Sequence, residues 1–135
     1  MTDSYDATVT LKISNAATNP DPSRWHRPTR GGQPVTDHWY AYFGGTDGWG
    51  GLIWTHGSAH SALVKLDGSL SGYKISTVGT TVDGGKHKDL TASKIDDTQW
   101  VLNDSGADVE SGRYSVTVNP PNGGAMVCDP IWRND

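Results

Sequence analysis

Residues 5–13 read YDATVTLKI, and apolar and polar side chains alternate along most of this stretch. The apolar residues fall on every second position: Ala7, Val9, Leu11 and Ile13. Because successive side chains of a β-strand point to opposite faces, this period of two predicts a strand with one buried face and one solvent-facing face. The stretch therefore indicates half-buried β-structure near the start of the chain.

The same alternation recurs downstream, and no long window has the period of a helix. Further strands are predicted at Trp39–Phe43, Leu52–Thr55, Ala62–Leu66, Tyr73–Val78, Trp100–Leu102, Tyr114–Val118 and Ala125–Cys128. Short strands separated by turn residues are typical of antiparallel sandwiches and barrels. We expect an all-β fold: a single antiparallel β-sandwich of about seven or eight strands over residues 1–135, in the Ig-like, Greek-key or jelly-roll style. Residues 15–36 are predicted to form a long irregular loop.

Composition narrows the classes of partner and the expected location. The 135 residues carry 11 basic and 15 acidic side chains, a formal net charge of −4. This balance argues against nucleic acid and against an anionic membrane surface as partners. The single cysteine, Cys128, cannot form an intramolecular disulfide and is expected to be a buried free thiol. With no signal peptide recognisable at residue 1, we expect a cytoplasmic protein; a secreted protein that has lost its signal peptide is the alternative.

The last third of the chain carries a family resemblance. It reads DDTQWVLNDSGADVESGRYSVTV, then NPPNGG, then VCDPIWRND. These segments resemble the C-terminal end of the DP-EP family, small bacterial all-β proteins named for an Asp-Pro and a Glu-Pro motif. The matching parts are the Tyr114–Val118 strand, the turn, Asp129-Pro130-Ile131 and Asn134, whereas the chain has no Glu-Pro. The resemblance implies one Ig-like or Greek-key sandwich and brings no active site. Asp-Pro peptide bonds are themselves acid-labile, because the Asp carboxyl can attack its own carbonyl. A DP-EP-like protein that processes itself at Asp129-Pro130 or Asp21-Pro22 is therefore an alternative function.

Catalytic and metal chemistry find little support in the sequence. His56 and His60 have the i, i+4 spacing of helical zinc sites, but on a strand this spacing separates them by about 13 Å. Nucleophile motifs such as Gly-x-Ser-x-Gly are absent, and the adjacent aspartates lie in turn contexts. We therefore expect no metal, no cofactor and no catalytic residue, although the sequence does not decide whether the protein is an enzyme.

Aromatic and basic residues point instead to binding. Six tryptophans are present; Trp39 and Trp100 are expected in the core, while the others lie in or beside loops. Residues 44–60, GGTDGWGGLIWTHGSAH, predict a hairpin with Asp47-Gly48 at its turn. Exposed indoles stack on sugar rings, and arginine also pairs with anions and stacks on indole.

We therefore expect a non-enzymatic, lectin-like binding module for a saccharide or another small polar ligand. The candidate ligand-binding residues are Trp25, Arg27, Asp47, Trp49, Trp54 and His56. Three other interpretations stay open. Loop tryptophans often plug the ends of a sandwich, the arginines of residues 23–30 could pair with the many aspartates, and exposed aromatics could be buried between subunits of a homo-oligomer.

Overall fold

The chain folds entirely into strands and turns in the part that the structure describes. This computed structural model describes residues 5–45, 48, 50, 60–68, 70–82, 90–104, 112–121 and 123–128. Within these ranges there are ten strands: β1 (Ala7–Ser14), β2 (Thr29–Arg30), β3 (Gln33–Pro34), β4 (Trp39–Gly44), β5 (His60–Leu66), β6 (Lys74–Val82), β7 (Leu90–Asp96), β8 (Gln99–Asp104), β9 (Gly112–Asn119) and β10 (Met126–Cys128). The predicted all-β class is confirmed.

The strands form two five-stranded sheets. Sheet 1 has the order β4-β1-β5-β8-β7, and sheet 2 has the order β3-β2-β10-β9-β6. Neighbouring strands are antiparallel except for β1 and β5, which are parallel with Val9 opposite Val64. Strand β1 thus lies inside sheet 1, between two strands that follow it much later in the chain.

Buried side chains from both sheets form one hydrophobic core. The alternating residues of β1, β5 and β9 supply much of it, and Leu11, Val64 and Val116 are all fully buried. Tyr42 of sheet 1 connects the core to sheet 2, because its ring lies 5.9 Å from that of Tyr114 and its hydroxyl donates to the Cys128 carbonyl. Cys128 is a buried free thiol, as predicted.

Most predicted strands are present with shifted ends, but the expected number of seven or eight was too low, because three of the ten described strands, β2, β3 and β7, were missed. Residues 15–36 are not irregular throughout, because β2 and β3 form a hairpin around Gly31 and Gly32, whose φ angles are +60° and +82°. A two-residue hairpin turn of this kind needs positive φ at both positions, which glycine supplies. Strand β7 was missed because it lies at a sheet edge with few buried side chains, and Ile95 is 49% exposed. The predicted strand Leu52–Thr55 lies outside the described residues.

Trp39 was expected in the core, and this expectation was wrong. In β4 the side chains of Tyr40 and Tyr42 enter the core, so Trp39 and Phe43 project from the opposite face of sheet 1. Trp100 does pack against the core and is partly buried. Both tryptophans have apolar neighbours in sequence, and only the register of β4 shows which face Trp39 occupies.

Candidate functional site

Residues 24–27 lie against the outer edge of β4. His26 and Tyr40 exchange two backbone hydrogen bonds, of 2.9 Å and 2.8 Å, which extend the sheet by one bridge. The His26 ring lies on the core side, 6.2 Å from the Tyr40 ring. Since adjacent residues of an extended segment point to opposite sides, Trp25 and Arg27 lie on the outer face of sheet 1. The fold thus places two of the predicted binding residues on the same face.

Cationic and aromatic side chains contact one another along this face. We call the group the cation–aromatic row; its members are Lys12, Arg24, Trp25, Arg27, Trp39 and Phe43. The Arg27 guanidinium stacks 3.5 Å from the centroid of the Trp39 ring. Arg24 and Lys12 both lie over the Phe43 ring, at 4.0 Å and 4.9 Å from its centroid. The Trp25 ring meets the Phe43 ring edge-on, with centroids 6.4 Å apart.

Arg24 connects the row to the glycine-rich segment. Its Nη2 donates a hydrogen bond to the carbonyl of Gly48, which has a φ of +81°. Asp47 and Trp49 are the sequence neighbours of Gly48, but both lie outside the described residues, as do Trp54 and His56. The structure therefore brings the backbone between Asp47 and Trp49 to the row.

Arg27 also holds the segment that precedes β4. One of its guanidinium nitrogens, Nη1, lies 2.5 Å from the Thr36 carbonyl and 3.4 Å from the His38 carbonyl. Arg30 likewise donates to a backbone carbonyl, that of Gly124, at 2.9 Å. Arg27 and Arg30 thus shape loops through carbonyl contacts. The alternative that these arginines pair with aspartates stays a prediction.

A hydrogen-bonded chain of three side chains was missed by the sequence interpretation. His38 is 7% exposed; its Nδ1 lies 2.7 Å from Asp37 Oδ1 and its Nε2 lies 2.7 Å from the Tyr73 hydroxyl. An ionised carboxylate can only accept, so Nδ1 carries the proton that is donated to Asp37. The other ring nitrogen, Nε2, shares the second hydrogen bond with the Tyr73 hydroxyl. Asp37 and His38 are adjacent in sequence, but only the fold brings Tyr73 to them.

The hydrogen bonds among Asp37, His38 and Tyr73 accompany shifted pKa values for Asp37 and Tyr73. The hydrogen bond from His38 is the main reason why the pKa of Asp37 is lowered, and the charge of Arg30 adds to it. Burial raises the pKa of Tyr73, and the nearby Asp37 charge raises it further. Asp37 is therefore held as a carboxylate and Tyr73 as a neutral phenol.

We expect stability to fall in acid because three aspartates have lowered pKa values. Hydrogen bonds from Ser23 lower the pKa of Asp21, and the Lys94 hydrogen bond together with the Lys74 charge lowers that of Asp97. A lowered folded-state pKa means that the unfolded chain binds protons first, so this stabilisation is present above the ordinary pKa of 3.8 and is lost as pH falls through the folded-state values. Urea-unfolding midpoints at about pH 6 and about pH 3 should show this loss.

The control is the triple variant Asp21→Asn, Asp37→Asn, Asp97→Asn, whose midpoint should change less between the two pH values. An equal loss of stability in the variant and the parent protein would contradict this origin of the acid sensitivity.

The described residues offer neither a cluster of metal ligands nor a membrane-spanning helix. No group of three or more His, Cys, Asp or Glu side chains is arranged there to hold a metal ion. No helix in the same residues has the length and apolar character needed to cross a membrane. His60 lies 3.4 Å from Asp6 through its Nδ1, whereas its proposed histidine partner, His56, lies outside the described ranges.

Comparisons with known proteins give no relative: no family model, no curated protein and no solved structure matches this chain. The resemblance to the DP-EP family stays a prediction, and Asp129-Pro130 lies outside the described residues.

Proposed function

We propose that this protein is a non-enzymatic binding module for a saccharide or a similar small polar ligand, which it binds on the cation–aromatic row. The observation that carries the proposal is the placement of Trp25 and Arg27 beside Trp39 and Phe43 on the outer face of sheet 1. Trp25 is partly exposed, so its ring offers a stacking surface to a sugar. These side chains supply stacking and charge, which serve recognition.

The charge of the row favours an acidic saccharide. Lys12, Arg24 and Arg27 bring three positive charges to one face of a chain whose formal net charge is −4. Lys12 has an acidic neighbour, since its Nζ lies 3.7 Å from Asp67. Arginine binds carboxylate and sulfate groups in a planar, bidentate geometry. A saccharide that carries uronate or sulfate groups would use both the rings and the cations of the row.

The glycine-rich segment belongs to the same proposal. Arg24 contacts the Gly48 carbonyl, so the flanking Asp47 and Trp49 are attached to backbone that meets the row. We assign these two residues, with Trp54 and His56, as further candidate contacts with the ligand. In this proposal the loop would add hydrogen bonds and a second stacking surface to those of the sheet.

Removal of the Trp25 ring should weaken saccharide binding at least tenfold, which corresponds to about 1.4 kcal/mol. Tryptophan fluorescence and calorimetry would follow titrations with an oligogalacturonate, a sulfated disaccharide and neutral maltose. The parent protein should bind the acidic ligands more tightly than maltose, and Trp25→Ala should lose this binding.

Trp100→Phe is the matched control, because Trp100 packs against the core rather than on the row, and it should keep the parent affinity. Circular dichroism would check that each variant is folded. The absence of binding to all three ligands, or an unchanged affinity of Trp25→Ala, would refute the proposal.

The two alternative functions, self-processing and the formation of a homo-oligomer, remain predictions with less support. Self-processing at Asp21-Pro22 would need a protonated Asp21 carboxyl, yet hydrogen bonds from the Ser23 amide and hydroxyl, at 3.0 Å and 2.7 Å, lower its pKa. A homo-oligomer would bury exposed apolar side chains, and Ile95 on the edge strand β7 is such a side chain. Light scattering would measure the oligomeric state directly.

A further inference from the structure

A polar pocket lies beside the β2–β3 hairpin, and none of the described residues that line it is assigned to saccharide binding. Its volume is about 300 Å³, near the lower end of the range for small-molecule sites. The residues that line it are Arg30, Gln33, Pro34, Val35, Thr36 and Asp37. The lining thus combines one cation, one anion, an amide and a hydroxyl, and none of the described residues in it is aromatic.

The cation of the pocket is held in place by the neighbouring loop. Arg30 Nη2 donates to the Gly124 carbonyl at 2.9 Å. A Cβ atom at position 124 would come within 3.1 Å of Arg30 Nε, so the guanidinium lies close against this glycine. In the β2–β3 pair Arg30 is opposite Gln33, which places a second polar side chain beside it. The planar guanidinium is suited to a ligand carboxylate.

The Asp37 carboxylate, which is the anion of the pocket, is held in place by His38. The Asp37 side chain is 75% exposed, yet its Oδ1 is bonded to the buried ring of His38, and that ring is fixed in turn by Tyr73. Arg27 contacts the carbonyls of Thr36 and His38, the residues on either side of Asp37. An exposed aspartate would ordinarily rotate freely, whereas here buried contacts orient the carboxylate.

We propose that this pocket binds a small zwitterion of the α-amino-acid class, with the ligand carboxylate on Arg30 and the ligand ammonium on Asp37. The two fixed charges of opposite sign match the two charges of such a ligand. The described lining residues offer charges, an amide and a hydroxyl, so they would recognise the ligand through ion pairs and hydrogen bonds. This inference concerns a second ligand and a second set of residues, so it does not rest on the proposed saccharide site.

The test is a titration of the full chain with glycine and alanine, followed by amide NMR. Saturable shifts of the Gln33 and Asp37 amides are expected. N-acetylglycine lacks the ammonium and glycine methyl ester lacks the carboxylate, and each should bind at least tenfold more weakly than glycine. The indole resonance of Trp25 reports separately on the saccharide site, so failure of one proposal can be told from failure of the other.

Charge-neutral variants test each contact. Arg30→Gln and Asp37→Asn should each weaken glycine binding at least tenfold, whereas Asp97→Asn, which changes a carboxylate in the β7–β8 turn, should leave it unchanged. Two independent variants keep the test decisive if one of them disturbs the hairpin. The proposal is overturned if glycine gives no saturable shift, if the acetylated or esterified ligands bind as tightly as glycine, or if both charge-neutral variants keep the parent affinity.

Discussion

Replacing Gly44 by alanine is expected to lower the free energy of unfolding by about 3 kcal/mol and the melting temperature by about 10 °C. Gly44 ends β4 with a φ of +79°, and a Cβ atom there would lie 2.3 Å from the Thr8 carbonyl oxygen. That oxygen already accepts a hydrogen bond from Gly45 at 2.8 Å. Because the obstacle is backbone in the neighbouring strand, relief requires β1 and β4 to separate locally.

Gly31→Ala is the matched control for this substitution. Gly31 also has a positive φ, of +60°, but apart from Gly31 and its two chain neighbours no described residue has an atom within 4 Å of the position that its Cβ would occupy. The control therefore carries the conformational cost without the clash, and it should lose only about 1 kcal/mol. Thermal and urea unfolding of both variants measure the difference. Equal losses in the two would show that the contact with Thr8 contributes nothing.

Replacing Tyr42 by alanine is expected to lower the free energy of unfolding by about 4 kcal/mol. Tyr42 is 4% exposed, and its ring lies 5.9 Å from the rings of both Tyr40 and Tyr114. The substitution leaves a cavity at the contact between the two sheets and removes the hydrogen bond to the Cys128 carbonyl. Urea unfolding, with the slope of the transition held fixed, measures the loss.

Tyr42→Phe separates the ring from the hydroxyl. It keeps the edge-to-face contacts and removes the hydroxyl that donates to Cys128, for an expected loss of about 1 kcal/mol. A loss in Tyr42→Phe as large as that in Tyr42→Ala would mean that the hydroxyl, and not the packed ring, holds the sheets together here.

Strands with a buried face were predictable, and those without one were not. Val9 and Leu11, like Val116 and Val118, alternate with polar neighbours because one side of each strand faces the core. β7 has no such constraint along most of its length, so its sequence carries little periodic signal. The parallel pairing of β1 with β5 could not be predicted from the sequence either. Strand order depends on how the sheets assemble rather than on any local pattern. The Ig-like, Greek-key or jelly-roll style stays a prediction.

The candidate site could be predicted in part. The sequence pointed to Trp25 and Arg27 because aromatic and basic residues are adjacent there, and the fold places them together with Phe43 and Trp39. It gave no signal for the contact between Asp37, His38 and Tyr73, since tertiary structure creates that contact across 35 positions of sequence. Composition can suggest stacking surfaces. A buried series of hydrogen-bonded side chains can be identified only when the register of the strands is known.

The interior position of β1 has a consequence for how the protein is made. β1 leaves the ribosome before the other nine described strands, so both of its partners, β4 and β5, are synthesised later, and β5 also pairs with β8. Pairing between distant segments closes long loops and slows folding. Until those partners emerge, no sheet covers the apolar face of β1. The nascent chain therefore exposes an aggregation-prone segment early. Solubility during synthesis should therefore depend more on Val9, Leu11 and Ile13 than on any residue of the cation–aromatic row.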